Sequence, residues 1–166
     1  PFNINYITST YLLEHLNSKT LIINNPKSIR DAPEKLYVTY FKNLTPPTLI
    51  SQDEIEIKKF IKKYKNLIVK PLYEKDEKEI FKITSNDKNI NKKIQSILKK
   101  EKLPIVVQKY IPQVKEGDKR VILLDGNPVG IMKRVPAKNE LRANLSRGGT
   151  AKKTILTTKD KFICKK

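Results

Sequence analysis

At 166 residues the chain has room for about one ordinary domain, or two small lobes, which excludes a large multidomain machine. Hydrophobic residues make up 38% and charged residues 31%, a balance that suits a soluble folded chain with a modest core rather than a disordered one. The formal charge of +18 points first to polyanions, yet only five of the 35 basic residues are arginine, and the lysines are spread along the chain without interleaved aromatics, so a nucleic-acid-binding module is not expected. The surplus of Lys rises together with Asn and Ile, as a coding bias toward A/T-rich codons would produce. One cysteine, Cys164, and one histidine, His15, allow neither an internal disulfide nor a zinc site of ordinary ligand number. Apolar runs such as Val121–Leu124 are far too short to cross a membrane, and no secretory leader is legible, so the cytosol is the expected compartment. The chain begins at Pro1 rather than Met, as a fragment would.

In chain order, hydroxyl caps before Tyr11, Leu12, Leu13 and Leu16 predict a helix over 8–16, and the apolar run at 20–24 predicts a short buried strand stopped by Asn25-Pro26. Asp31 is placed to cap a helix with Pro33 in its first turn and Leu36, Tyr37, Tyr40 and Phe41 on one packed side, before Thr45-Pro46-Pro47 breaks the chain. A strand follows at 48–50. Ser51 and Glu54 then have the spacing of a capping box for a helix carrying Ile55, Phe60, Ile61 and Tyr64 inward. Strands are expected at 66–69 and 80–83, a helix with Ile90, Ile94, Ile97 and Leu98 on its core face, and a strand at 104–110. That β-α-β-β-α-β order is the split βαβ arrangement, with two helices on one face of a four-stranded sheet.

Beyond Pro112, the segments 120–124 and 128–135 flank Asp125-Gly126-Asn127, a strong hairpin signal that opens a second sheet. The stretch 136–150 is polar and reads as a loop, and a helix is expected to start at Thr157 or Thr158.

Cations presented by rigid strand ends suit a polyphosphate, and Lys35 and Lys70 fit that description. Lys70 closes the apolar strand LIVK just before Pro71, where it needs an anion or solvent. Arg120, just after Asp118, opens another strand and adds a third cation.

Four motifs resemble the prokaryotic-type glutathione synthetases of the ATP-grasp superfamily, and together they run over nearly the whole chain: NPKSIRDAPEKL at 25–36, LIVKPL at 67–72, VQKYIPQVKEGDKRVILLDGNPV at 107–129, and IMKRVP with ELRANLSRGG at 131–136 and 140–149. The resemblance implies an α/β (α+β) ATP-grasp fold. Residues 1–31 would be the tail of a preceding α/β domain with its junction, 32–110 the small lid lobe, and 111–166 the start of the large lobe, with nucleotide held between the lobes. It implies the ligation of γ-glutamylcysteine to glycine through an acyl phosphate at the expense of ATP, with Mg²⁺, by a protein that is commonly a homo-oligomer. Carried onto this sequence, Lys35 and Lys70 would bind ATP phosphates, and Gln108, Lys109, Tyr110 and Ile111 would form the hinge that reads the adenine edge. Asp118 would lie near the ribose, and Arg120 would hold the transferred phosphoryl group. Arg142, Asn144 and Arg134 would contact substrate carboxylates.

The chain departs from the family's pattern where a glycine-rich phosphate loop should follow the Lys-Pro pair. Residues 73–79 contain no glycine, and Glu74, Asp76, Glu77 and Glu79 place four carboxylates there. The family's acidic and asparagine Mg²⁺ ligands correspond to positions beyond Lys166. Two readings stay open: an ATP-dependent ligase whose chemistry is incomplete in this chain, and a nucleotide- or partner-binding module without turnover.

Overall fold

A computed structural model describes residues 3–16, 19–73, 80–138, 140 and 143–166. The chain divides into two compact units, Pro1–Tyr110 and Ile111–Lys166.

The first unit starts with α1 (Ile4–Glu14), α2 (Pro26–Asp31) and α3 (Glu34–Tyr37), the last running into a 3₁₀ turn at Val38–Tyr40. Helix α1 begins earlier than its sequence suggests because the Asn3 side chain accepts the Tyr6 N–H and caps it. No strand forms at 20–24: Leu21 and Ile23 are exposed, and Asn25 instead caps α2 by accepting the Ser28 N–H, with Pro26 in the first turn. Asp31 therefore ends one helix instead of starting the next, and Pro33 precedes α3. Arg30 ties α1 to α2. Its Nη2 donates to both Glu14 carboxylate oxygens at 2.8 and 2.9 Å, its Nη1 donates to Thr10 Oγ1, and its guanidinium lies 3.9 Å from the Tyr11 ring centre. Tyr37 and Tyr40, at core spacing in the sequence, are exposed and pack their rings on each other.

The remainder of the unit is a four-stranded antiparallel sheet of β1 (Thr48–Ser51), β2 (Asn66–Pro71), β3 (Phe81–Thr84) and β4 (Ile105–Lys109), in the order β1-β4-β2-β3, with α4 (Glu54–Tyr64) and α5 (Ile90–Glu101) as its connections. Strands β1 and β2 are joined through α4 and parted by antiparallel β4; β3 and β4 are joined through α5 and parted by β2. This is the expected split βαβ pattern. Alternation sorts the side chains. Leu67 and Val69 of β2, Ile83 of β3, and Ile105 and Val107 of β4 close over Ile57 and Ile61 of α4 and Ile94 and Ile97 of α5, making one apolar core. The cap of α4 is Asp53, whose Oδ1 accepts the Ile55 and Glu56 N–H groups, while Ser51 Oγ donates to Glu56 and accepts the Asp53 N–H; the capping box is thus replaced by two shorter-range caps. The helical period puts Ile57 rather than Ile55 on the face shared by Phe60, Ile61 and Tyr64, and Ile55 is 64% exposed.

The second unit is a three-stranded antiparallel sheet, β5-β6-β7, of Asp118–Leu124, Asn127–Val135 and Thr150–Lys152. Asp125 and Gly126 form the two-residue hairpin turn with φ of 48° and 76°, the left-handed pair that suits the twist of the strands. The third strand begins at Thr150, the last residue of the stretch the sequence suggests is loop, because Thr150 and Ala151 pair with Val135 and Arg134. Helix α6 (Thr158–Cys164) carries a capping box between Thr157 and Asp160 and is tied to β5 where Lys119 Nζ donates to Asp160 Oδ2 at 2.5 Å. Ala143 is the one buried apolar residue among the described residues of this unit, so polar ties do much of its visible cross-linking.

Two consequences can be measured. Ile83→Ala should cost about 2–5 kcal/mol by urea denaturation, because the cavity opens in the closed core, whereas Ile55→Ala on the solvent side of α4 should stay within about 0.5 kcal/mol; equal losses would put Ile55 in the core. The bonds from Lys119, and then from the Thr157 backbone and hydroxyl, pull the Asp160 carboxyl from its usual 3.8 down to about 2. A depressed folded value means that the unfolded chain takes up the proton first. The stabilisation is therefore complete above the ordinary carboxylate value and is lost as pH falls through the window down to about 2. Helical Cα shifts of 158–164 should separate wild type from Asp160→Asn at pH 6, and the two should converge near pH 2; a separation that grows on acidification would contradict this.

Candidate functional site

The face of the first sheet turned away from α4 and α5 carries a row of Thr48, Gln108, Ile68 and Lys82 across β1, β4, β2 and β3, with Ile50, Val106 and Lys70 in the row beside it. Lys70 Nζ donates to Gln108 Oε1 at 3.2 Å, and Gln108 Nε2 donates to Thr48 Oγ1 at 2.8 Å. This relay orients the amide and holds a half-buried ammonium at the end of β2. From α3, Lys35 Nζ donates to the Pro71 carbonyl at 2.7 Å, which brings a second ammonium to that strand end. Lys35 and Lys70, 35 residues apart in sequence, are thus anchored to consecutive positions of the chain, Lys70 by its own backbone and Lys35 through Pro71. Two fixed ammonium groups suit a triphosphate: each cation is preorganised, and the anion recovers in ionic hydrogen bonds what it loses in solvation.

Strand β4 ends at Lys109, beside the start of β2, and the chain runs on into Tyr110 and Ile111. The Lys109 N–H is spent on the Pro47 carbonyl and the Tyr110 N–H on the Asn66 carbonyl, so these two donors are already used within the sheet. Lys109 falls opposite Leu67, on the helix side by alternation, and is exposed; Ile111 is exposed as well. Tyr110 stands apart. Its hydroxyl is buried with no hydrogen-bond partner among the described residues, and Lys82 Nζ lies 4.2 Å from its ring centre. Thr48 and Lys82 were not among the sequence candidates. Alternation with the core residue Ile83 puts Lys82 on the opposite face, but the register of β3 against β2 becomes known only once the sheet is formed. A cavity of about 180 Å³ opens on the other, helical side, lined by Lys58, Ile61, Lys62, Ser85 and Ile90, and holds none of the candidate residues.

In the second unit, Arg120 stands on β5 opposite Met132 and is exposed. Asp118 lies directly opposite Arg134 on β6. Arg134 Nε donates to Asp118 Oδ1 at 2.8 Å and Nη2 to Oδ2 at 2.7 Å, a two-pronged pair that sequence reading did not anticipate. Residues 118, 120, 132 and 134 share one face of the hairpin by alternation and register. Asn144 immediately precedes the 3₁₀ turn at Leu145–Arg147, and its carbonyl accepts the Gly149 N–H. A Cβ at Gly149 would sit 2.6 Å from the Ala143 carbonyl oxygen, so this loop closes on itself only with glycine there. Arg142 lies outside the described residues, as does the acidic stretch 74–79. Among the described residues there is no group of three or more His, Cys, Asp or Glu side chains able to hold a metal ion.

Residues 34–166 match the prokaryotic glutathione synthetase ATP-grasp domain, and residues 1–30 match the prokaryotic glutathione synthetase N-terminal domain. The chain is 43% identical over 164 residues to the glutathione synthetase of Mesorhizobium japonicum, covering 99% of this chain and 52% of that protein. It is 41% identical over 166 residues to the enzyme of the same name from Agrobacterium fabrum, covering 100% of this chain and 52% of the relative. The chain thus spans about half the length of the curated relatives it matches. Among solved structures it is similar to the ATP-grasp ligase PsnB complexed with minimal precursor, at a TM-score of 0.63 and 14% identity, covering 94% of this chain and 50% of that one. It is likewise similar to D-cycloserine synthetase DcsG, at a TM-score of 0.63 and 15% identity, covering 79% and 47%. Such low identities speak to the fold alone. Motif order, matched residues and fold converge: the chain belongs to the prokaryotic glutathione synthetase family and has its ATP-grasp fold.

Proposed function

We propose that this chain supplies the nucleotide-binding surface and part of the substrate-binding surface of an ATP-dependent carboxylate–amine ligase that makes glutathione. In the first step a carboxylate oxygen at the cysteinyl end of γ-glutamylcysteine attacks the γ-phosphorus of ATP. The bond to the bridging oxygen breaks, and ADP leaves with that electron pair. In the second step the amine lone pair of glycine attacks the acyl carbon, the bond to the phosphate oxygen breaks, and the amine gives up a proton as the amide forms. Little covalent help is needed from the protein; positioning and charge compensation carry such transfers.

The convergence of Lys35 and Lys70 on one strand end is the observation that carries this reading. In it, both ammonium groups hold ATP phosphates, Gln108 keeps Lys70 aimed, and the segment from Lys109 to Ile111 flanks the base. Arg120, exposed and uninvolved in the Asp118–Arg134 pair, is the group suited to the phosphoryl oxygens as they pass from ATP to the acyl phosphate. Asn144, Arg134 and Arg142 are assigned to the carboxylates of the peptide and of glycine. Mg²⁺ belongs with the triphosphate in this chemistry, where it would neutralise charge on the β- and γ-phosphates, but the described residues do not form its site, and no step here runs through it. A cytosolic setting and assembly from several copies belong to the same reading. The described residues contain no helix long and apolar enough to cross a membrane.

A second reading, a nucleotide-binding module without turnover, is favoured by one observation: the stretch after the Lys-Pro pair holds four carboxylates and no glycine. Calorimetric titration with the magnesium salt of adenylyl imidodiphosphate separates the possibilities. Wild type should bind saturably, and Lys70→Ala and Lys35→Ala should each weaken binding about tenfold, the worth of one ionic hydrogen bond. Unchanged affinity in both variants, or no saturable binding by wild type, would overturn the nucleotide site. Phosphate release on adding ATP, γ-glutamylcysteine and glycine supports the ligase; saturable binding without release supports the module.

A further inference from the structure

We propose that Lys82 is a positioning residue for the nucleoside half of the bound nucleotide: its ammonium covers the Tyr110 ring, fixes the residue at which the chain leaves the sheet, and holds no phosphate. This rests on the nucleotide reading given above. The ladder between β2 and β4 runs one residue past the end of β4, because the Tyr110 N–H donates to the Asn66 carbonyl at 2.9 Å. Tyr110 therefore stands on the face of Gln108, which also carries Ile68 and Lys82. Strand β2 separates β3 from β4, so the Lys82 side chain has to cross β2 to bring its Nζ within 4.2 Å of the Tyr110 ring centre. Its hydrocarbon stem makes the crossing, level with Ile68, and its charge meets the ring.

Position separates this cation from the two assigned to phosphate. Tyr110 is level with Asn66 and Lys70 is level with Val106, and those two β2 residues lie about 13 Å apart along the strand. The Lys82 ammonium is drawn to the Asn66 end, away from the strand end on which Lys35 and Lys70 converge. That is the end at which the segment Lys109–Ile111 flanks the base in the reading above. Tyr110 is also where the segment is tied down: it is the last residue of the first unit, and Ile111 beyond it is exposed and leads into the 3₁₀ turn at Pro112–Glu116. The Asn66 bond fixes its backbone. Its ring has no such anchor, because the hydroxyl is buried with no hydrogen-bond partner among the described residues. The cation over the ring face supplies the orientation that the hydroxyl does not.

The test uses the whole chain and two triphosphates of equal charge, the magnesium salts of adenylyl and guanylyl imidodiphosphate, so that attraction to a basic protein cancels in the ratio of their affinities. Wild type should favour the adenine compound. Lys82 is exposed, so Lys82→Ala opens no core; it should weaken the adenine compound about fivefold and the guanine compound by less than about twofold. Lys82→Arg keeps a cation over the ring and should keep the preference, as should Tyr110→Phe, which removes only a hydroxyl without a partner. Tyr110→Leu should lose the preference, and combining it with Lys82→Ala should cost nothing more, because one residue acts through the other. Ring-current shifts report the contact without any ligand: the Lys82 ε-methylene protons should lie upfield in wild type and return to the ordinary lysine position in Tyr110→Leu. Equal losses with both triphosphates in Lys82→Ala would make Lys82 a phosphate contact and overturn the proposal, as would additive losses or unshifted ε-methylene protons. Equal binding of both triphosphates by a wild type that still weakens in Lys70→Ala would overturn the proposal alone. A wild type that binds neither saturably would overturn the nucleotide reading, and the proposal with it.

Discussion

The two-residue period of β2 is the constraint on which the first unit depends. Leu67 and Val69 point beneath α4 and α5, and Ile68 and Lys70 point the other way, so a slip of one residue would bury an ammonium in the core and turn two core residues to water. The flanking strands fix that register from both sides: β4 pairs with five of the six residues of β2, and β3 pairs with four of them. The position of Lys70 is therefore a by-product of core packing. An apolar core that closes in a single register also presents a cation at a single place, and the Lys70–Gln108–Thr48 relay then holds it there.

Helix α3 acts on that strand end from outside the sheet. It is only four residues long, and its Lys35 docks on a backbone carbonyl rather than on another side chain. A carbonyl is a rigid acceptor because the peptide plane and the sheet hold it, so a short element can still place an ammonium reliably. Arg30 performs a comparable service between α1 and α2, where one guanidinium engages a carboxylate, a hydroxyl and an aromatic face. In both cases the junction between elements is made by one long cationic side chain, as befits a chain that has many lysines and a small core.

The second unit solves a different problem. With little of its apolar surface closed off among the described residues, its elements are cross-linked by paired charges, Asp118 with Arg134 and Lys119 with Asp160. Asp118 and Lys119 are neighbours on one strand and point to opposite faces. Adjacent residues thus serve two purposes, one fixing an arginine on the face that carries Arg120 and the other fastening α6. Such pairs depend on solvent exposure and pH far more than an aliphatic core does.

Sequence alone determined the elements whose signals are local: the strand and helix order of the first sheet, the core periodicity of α5, the Asp125-Gly126 turn and the start of α6 at Thr157 or Thr158, together with the motifs that carry the family. Period and turn chemistry are written within a few neighbouring residues, and lysines and arginines at strand ends can be found by that means. What tertiary structure decided lies in pairings between distant segments. Residues 20–24 have strand composition, but among the described residues no strand pairs with them, and Leu21 and Ile23 stay exposed. Thr150–Lys152 has no strand signal of its own and becomes one because β6 offers an edge. The same holds for the candidate site. Lys82 joins Tyr110, and Asp118 joins Arg134, through registers that cost loop-closure entropy and are settled only when whole sheets form, which no window along the chain can report.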